Sequence, residues 1–159
     1  MAEFSGSPTG EHRRYAVVAS RFNQDIVERL VDGALDALVR HGVAADDVDV
    51  VWVPGAWELP IAARRLLASE RYNALVAVGA VIRGGTPHFD YVAGEASRGL
   101  ALASTDFDTP IGFGLLTCDT MQQAEERAGG AHGNKGWDAA LAALEMSDLF
   151  DRLDATDEG

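Results

Sequence analysis

The segment with the most chemical potential runs Val81-Ile82-Arg83-Gly84-Gly85-Thr86-Pro87-His88-Phe89-Asp90-Tyr91. Two glycines and a threonine lead from an apolar run into a helical pattern. Backbone N–H groups at such a helix start have no intrahelical acceptor, and the helix dipole favours an anion there. Arg83 and the Thr86 hydroxyl can add donors. His88 follows at once, so an acid–base group would stand beside a bound anion. The same residues also suit an ordinary βα turn with a histidine in its first helical turn.

Other residues could share a site with this loop. Phe22 follows the first apolar run and is either a stacking plate for a planar ligand or a hydrophobic staple for the next helix. Gly55-Ala56-Trp57-Glu58 puts a carboxylate at a helix start. Glu58 could accept hydrogen bonds from sugar-like hydroxyls, or simply complement the helix dipole. Arg127 stands near a helix end, where a base is usually a dipole partner. Lys135 lies in the glycine-rich break Gly129-Gly130-Ala131-His132-Gly133-Asn134-Lys135-Gly136. Phe113 falls mid-strand and reads as core. Cys118 follows the last strand and reads as a small packed residue.

Several chemistries lack their signatures. The chain has no G-x-S-x-G, Walker A, G-x-G-x-x-G or H-E-x-x-H pattern. Its single cysteine precludes an intrachain disulfide and a cysteine-rich metal site, and the four histidines have no metal-ligand spacing. The 25 acids outweigh 13 bases, for a net charge of −12, which argues against a general nucleic-acid binder. No apolar run approaches a membrane span, and the N-terminus lacks the apolar stretch of a secretory signal. A cytoplasmic protein with small-molecule substrates is the expectation.

The elements that must position these residues follow from periodicity. The chain's 159 residues, 47% hydrophobic and 24% charged, suit one globular domain. That domain is expected over residues 14–150, between a mobile arm at 1–13 and an acidic, frayed tail at 151–159. Tyr15–Ala19, Val48–Val53, Leu75–Val78 (with room to run on to Ile82) and Ile111–Leu116 are apolar runs of strand length. Helical patterns lie between them. The first is capped by Asn23 and closed by Gly42; the second spans Glu58–Ser69 with Pro60 in its first turn; the third covers roughly Phe89–Thr105. Thr120 to Gln123 reads as a capping box opening a helix to Ala128, and Gly136–Leu149 as the last helix. Strands alternating with helices predict a four-stranded parallel sheet with helices on both faces, a flavodoxin-like three-layer sandwich. In such sheets ligands bind beyond the carboxyl ends of the strands. That rule singles out the segments after each strand: SRFN, PGAWE, IRGGTPH and GLLTCD.

Taken together these segments resemble the lumazine synthase family. The matching stretches are SRFN at 20–23, PGAWELP at 54–60, VIRGGTPHFDYV at 81–92, GFGLLT at 112–117, the Q-A-x-x-R-A-G stretch at 123–129, and GNKG at 133–136. Their order and separations suit the family from about Tyr15 to Phe150. The resemblance implies condensation of 5-amino-6-(D-ribitylamino)uracil with 3,4-dihydroxy-2-butanone 4-phosphate, without cofactor or metal. It implies that Phe22 stacks on the pyrimidine, Glu58 beside Ala56 and Trp57 holds the ribityl chain, and backbone groups around Ala80, Val81 and Ile82 read the pyrimidine edge. Gly85, Thr86 and Arg127 would hold phosphate, and His88 would move protons. Phe113 and Lys135 would complete the pocket, Phe113 from a neighbouring subunit. The resemblance further implies a homo-oligomer, a pentamer built into a 60-subunit icosahedral shell. The competing readings are a homologue that binds flavin without synthesis, and a shell protein whose task is enclosure.

Overall fold

Four apolar runs pair into one parallel sheet in a computed structural model that describes residues 1–157. The strands are β1 (Tyr15–Ser20), β2 (Val48–Val53), β3 (Ala74–Ile82) and β4 (Ile111–Cys118), in the order β2-β1-β3-β4. β1 is buried along its whole length, as a central strand covered on both faces must be. Its alternating side chains feed two cores. Tyr15, Val17 and Ala19 pack with α1 (Gln24–Arg40) and α5 (Lys135–Asp157). Ala16 and Val18 face the other way, toward α2 (Leu59–Ala68) and α3 (His88–Asp106). The result is the three-layer, flavodoxin-like arrangement expected from the alternation of runs.

Close approach fixes how α5 seats. A Cβ on Gly112 would fall on the Ala139 backbone, and one on Gly136 on the Leu30 carbonyl. Glycine at these positions lets α5 settle against β4 and α1 at backbone distance. At the end of α1, Gly42 adopts φ +100°, the left-handed cap its position predicts.

The structure differs from the sequence reading in several elements. Asn23 does not cap α1 with its side chain; it sits at φ 60°, and its amide donates to the Ala80 carbonyl at 2.9 Å. Asparagine tolerates that backbone region, and its side chain is spent across the sheet. Residues 56–58 form a 3₁₀ turn, so α2 begins one residue late, with Pro60 in its first turn. β3 does run on to Ile82, and β4 extends to Cys118.

Thr120 caps α4 (Met121–Glu126) by accepting from the Gln123 N–H at 3.1 Å. The Gln123 side chain, however, takes the Asp119 N–H rather than that of Thr120. α4 then stops short of Ala128. Its successors, β5 (Ala128–Gly130) and β6 (Gly133–Asn134), form a small antiparallel pair where only a glycine-rich break was expected. Asn134 caps α5, accepting from the N–H groups of Gly136 and Trp137 at 2.8 and 3.1 Å.

α5 continues through Asp157, where a frayed tail was expected from 151; residues 158 and 159 lie outside the described residues. The N-terminal segment, expected as a mobile arm, has no regular secondary structure and lies against this helix. Ser7 donates its N–H to Asp148 at 2.8 Å, and Arg13 pairs with Asp148 and Asp151.

Candidate active site

The strand order reverses direction at β1. From β1 the chain crosses to β2 on one side, and then returns to β3 on the other. The loops after β1 and β3 therefore leave the sheet side by side, which opens a crevice at the carboxyl edge.

Backbone bonds lace these loops together. Arg21 N–H donates to the Val53 carbonyl at 2.8 Å, and Phe22 N–H to the Pro54 carbonyl at 3.2 Å. The Asn23 bond to Ala80 ties the same loop to β3. The Arg83 N–H reaches the Cys118 carbonyl of β4 at 2.8 Å. Phe22, the turn at 56–58, the end of β3 and the loop to His88 thus share one rim.

On that rim Phe22 is 71% exposed. That exposure leaves it unstapled to α1 and available as an aromatic plate. Trp57 is also exposed, Ala56 is buried, and Glu58 is half-buried at the mouth of α2. Ala80 is buried, and Val81 and Ile82 are half-buried. Residues 83–88 are all exposed. A Cβ on Gly84 or Gly85 would meet nothing within 4 Å, so the backbone there is open to a ligand.

Arg83 departs from its expected part as a free donor to an anion. Its guanidinium donates to Asp119 at 2.9 Å and to Asp90 at 3.4 Å, and stacks 4.5 Å over the Phe89 ring.

A second cluster lies beside the carboxyl end of β4. A polar pocket of about 450 Å³ is lined by Thr117, Cys118, Gln123, Arg127, Lys135 and Asp138, among others. Arg127 and Lys135 come together here although neither is on a sheet strand. Arg127 ends α4, where its guanidinium donates to the Gln123 carbonyl at 3.0 Å. It therefore serves the helix terminus, as its position predicts, and also faces the pocket. Its carboxylate neighbour is Glu126 at 3.7 Å. Burial pushes the Cys118 thiol up, and nearby Arg127 only partly offsets this; a raised thiol is a poor nucleophile.

Phe113 stands apart from both clusters. β4 is an edge strand, and Phe113 is 41% exposed beside Ser97, Leu100 and Ala101 of α3. The expectation that it is core by strand position fails because the outer edge of β4 has no neighbour within the chain. His132 and Gln123 were not singled out from sequence. Both line the basic pocket, His132 with its Nε2 3.6 Å from Glu126. The spacing of Gln123 signals only a helix cap and His132 has no spacing signal, because the α4 cap and the β5–β6 turn bring them to the pocket.

Among the described residues there is no group of three or more metal-ligating side chains, and no helix long and apolar enough to cross a membrane.

The sequence profile described as 6,7-dimethyl-8-ribityllumazine synthase matches residues 12–151. A 6,7-dimethyl-8-ribityllumazine synthase from Gemmatimonas aurantiaca is 70% identical over 152 residues, covering 96% of this chain and 93% of that protein. One from Aquifex aeolicus is 53% identical over 153 residues, covering 96% and 99%.

Proposed function

Because the chain belongs to the 6,7-dimethyl-8-ribityllumazine synthase family, we propose that its carboxyl-edge crevice carries out that synthesis. 5-Amino-6-(D-ribitylamino)uracil condenses with 3,4-dihydroxy-2-butanone 4-phosphate, yielding the lumazine, phosphate and water, as a step of riboflavin biosynthesis.

Phe22 stacks on the pyrimidine, and backbone groups of Ala80, Val81 and Ile82 read its edge. Ala56, Trp57 and Glu58 line the ribityl chain, with the Glu58 carboxylate accepting from its hydroxyls. The open amides at Gly85 and Thr86 take phosphate oxygens, as does Arg127, with Lys135 beside it. His88 begins α3 directly after this cradle and shuttles protons during imine formation, phosphate loss and ring closure. The observation that carries the assignment is the shared rim of Phe22, residues 56–58 and residues 80–88, from the segments after three strands, at the carboxyl edge of the sheet.

Rate acceleration rests mainly on positioning. Holding two reactants in register can supply up to roughly 7–11 kcal/mol. Proton transfer adds about 10²–10⁴-fold. No cofactor or metal is required by this chemistry.

Phe113 lies away from both clusters on an exposed strand edge, which supports its delivery to the site of a neighbouring subunit. The active unit is then an oligomer, a pentamer assembled into a 60-subunit shell, in the cytoplasm. Native mass measures this directly; a mass of five chains would refute the shell.

Formation of lumazine, followed by absorbance and fluorescence against an enzyme-free control, tests the activity. Arg127→Ala tests the site. A charge-assisted bond to phosphate is worth about 1.5–3 kcal/mol, so KM for the phosphate substrate should rise about 10-fold or more. An unchanged KM removes Arg127 from the phosphate site.

A further inference from the structure

The candidate phosphate cradle has an unusual lack of support. Residues 83–88 are exposed, and Gly84 and Gly85 have open space where a side chain would begin. Packing therefore does not hold the amides that must face an anion. An unheld glycine pair samples many backbone conformations, and ordering it on binding costs affinity.

Arg83 is the residue of this loop that reaches outward and grips. Its backbone N–H bonds Cys118, and its Nε donates to Asp119 at 2.9 Å, both at the end of β4. Its Nη1 reaches Asp90 in the first turn of α3 at 3.4 Å, and its guanidinium carbon lies 4.5 Å from the centre of the Phe89 ring. The fork thus spans the cradle, from the strand before it to the helix after it. Asp119 is itself tied down: its N–H donates to Gln123, whose carbonyl accepts from Arg127.

We propose that the Arg83–Asp119 bridge is a positioning device that holds the Gly84–Thr86 cradle in its anion-binding form and braces it against the β4–α4 turn. The inference rests on the assignment of Gly85, Thr86 and Arg127 to phosphate. Arg83 then acts through the loop rather than as a phosphate ligand. A guanidinium already shared between two carboxylates is a poor donor to a third anion, which both carboxylates would repel.

The two roles for Arg83 predict opposite signs for one variant, Asp119→Asn. If Arg83 positions the loop, loss of the bridge loosens the cradle and KM for the phosphate substrate rises. If Arg83 binds phosphate directly, loss of its competitor frees it and that KM falls.

The experiment uses the full assembled chain and the two-substrate assay. Arg83→Gln and Asp119→Asn should each raise KM for the phosphate substrate about five-fold, the scale of an exposed ion pair. The KM for the pyrimidine substrate should stay unchanged. The double variant should be no worse than either single variant, because both remove one bridge. Asp119→Glu, which keeps the carboxylate, should recover most of the loss. Amide hydrogen exchange at Gly84–Thr86 should quicken in the two disrupting variants and not in Asp119→Glu. A lowered or unchanged phosphate KM in Asp119→Asn overturns the proposal, as do fully multiplicative effects in the double variant. If Arg127→Ala raises that KM and the bridge variants do not, the bridge fails and the phosphate assignment stands. If none of the three raises it, both fail.

Discussion

Asp148→Asn should destabilise the protein by about 2 kcal/mol at neutral pH, and the deficit should vanish in acid. The Asp148 side chain is 9% exposed on α5. It accepts the Ser7 N–H at 2.8 Å, the Arg152 Nε at 2.8 Å and the Arg13 Nη2 at 3.0 Å. The Ser7 bond, chief among these, holds the carboxyl down from its ordinary 3.8 to about 2, against the opposing effect of burial. Each unit of such a shift is worth about 1.4 kcal/mol, so the charge contributes about 2 kcal/mol. Solvent around the half-exposed Arg152 trims that figure rather than enlarging it. The sign follows from the folded value lying below the unfolded one. The stabilisation is complete above the unfolded value and is lost as pH falls from 3.8 through about 2. Asparagine preserves shape and removes the charge. Urea unfolding of both proteins at one fixed concentration, between pH 7 and pH 2, reads the difference. The gap should hold near neutrality, narrow below about pH 4 and nearly close at pH 2. A gap below about 0.5 kcal/mol at pH 7, or one indifferent to acid, would refute this reasoning.

Two further outcomes are expected. His88→Ala should slow turnover by about 10²-fold or more while leaving product formation above the enzyme-free rate, since acid–base help is only part of the acceleration; complete loss in a folded, assembled protein would make His88 indispensable instead. Gly112→Ala should cost about 3 kcal/mol by driving a Cβ into the Ala139 backbone; thermal unfolding within a degree of the parent protein would show that α5 is not seated so closely.

Much of the molecule was legible in one dimension. The apolar runs at Tyr15–Ala19 and Val48–Val53 and their spacing to helical stripes predict a parallel sheet covered on both faces, because a short continuous apolar run and a 3.6-residue period are local signals. Pro60 in a first turn, Gly42 after α1 and Thr120 before α4 are likewise decided by a few neighbouring residues. Topology singled out the carboxyl edge as the candidate site, and the roles expected of its residues came from the family resemblance, because the residue types alone also suit an ordinary turn, a hydrophobic staple and a dipole partner.

Tertiary structure alone decided what several polar side chains do. Asn23 was free by sequence to cap α1, yet its amide spans to Ala80. Arg83 was a candidate anion donor, yet it closes on Asp119, 36 residues away. Phe113 falls mid-strand like a core residue, yet it is exposed on β4, an edge strand. α5 passes its expected end at Leu149, because Asp148 and Asp151 gain partners on Arg13, more than 130 residues distant. Hydrophobic periodicity is repeated over many residues and survives in any local window. A single long-range hydrogen bond leaves no periodic trace, and its partner is chosen only when the folded layers bring two distant segments within about 3 Å.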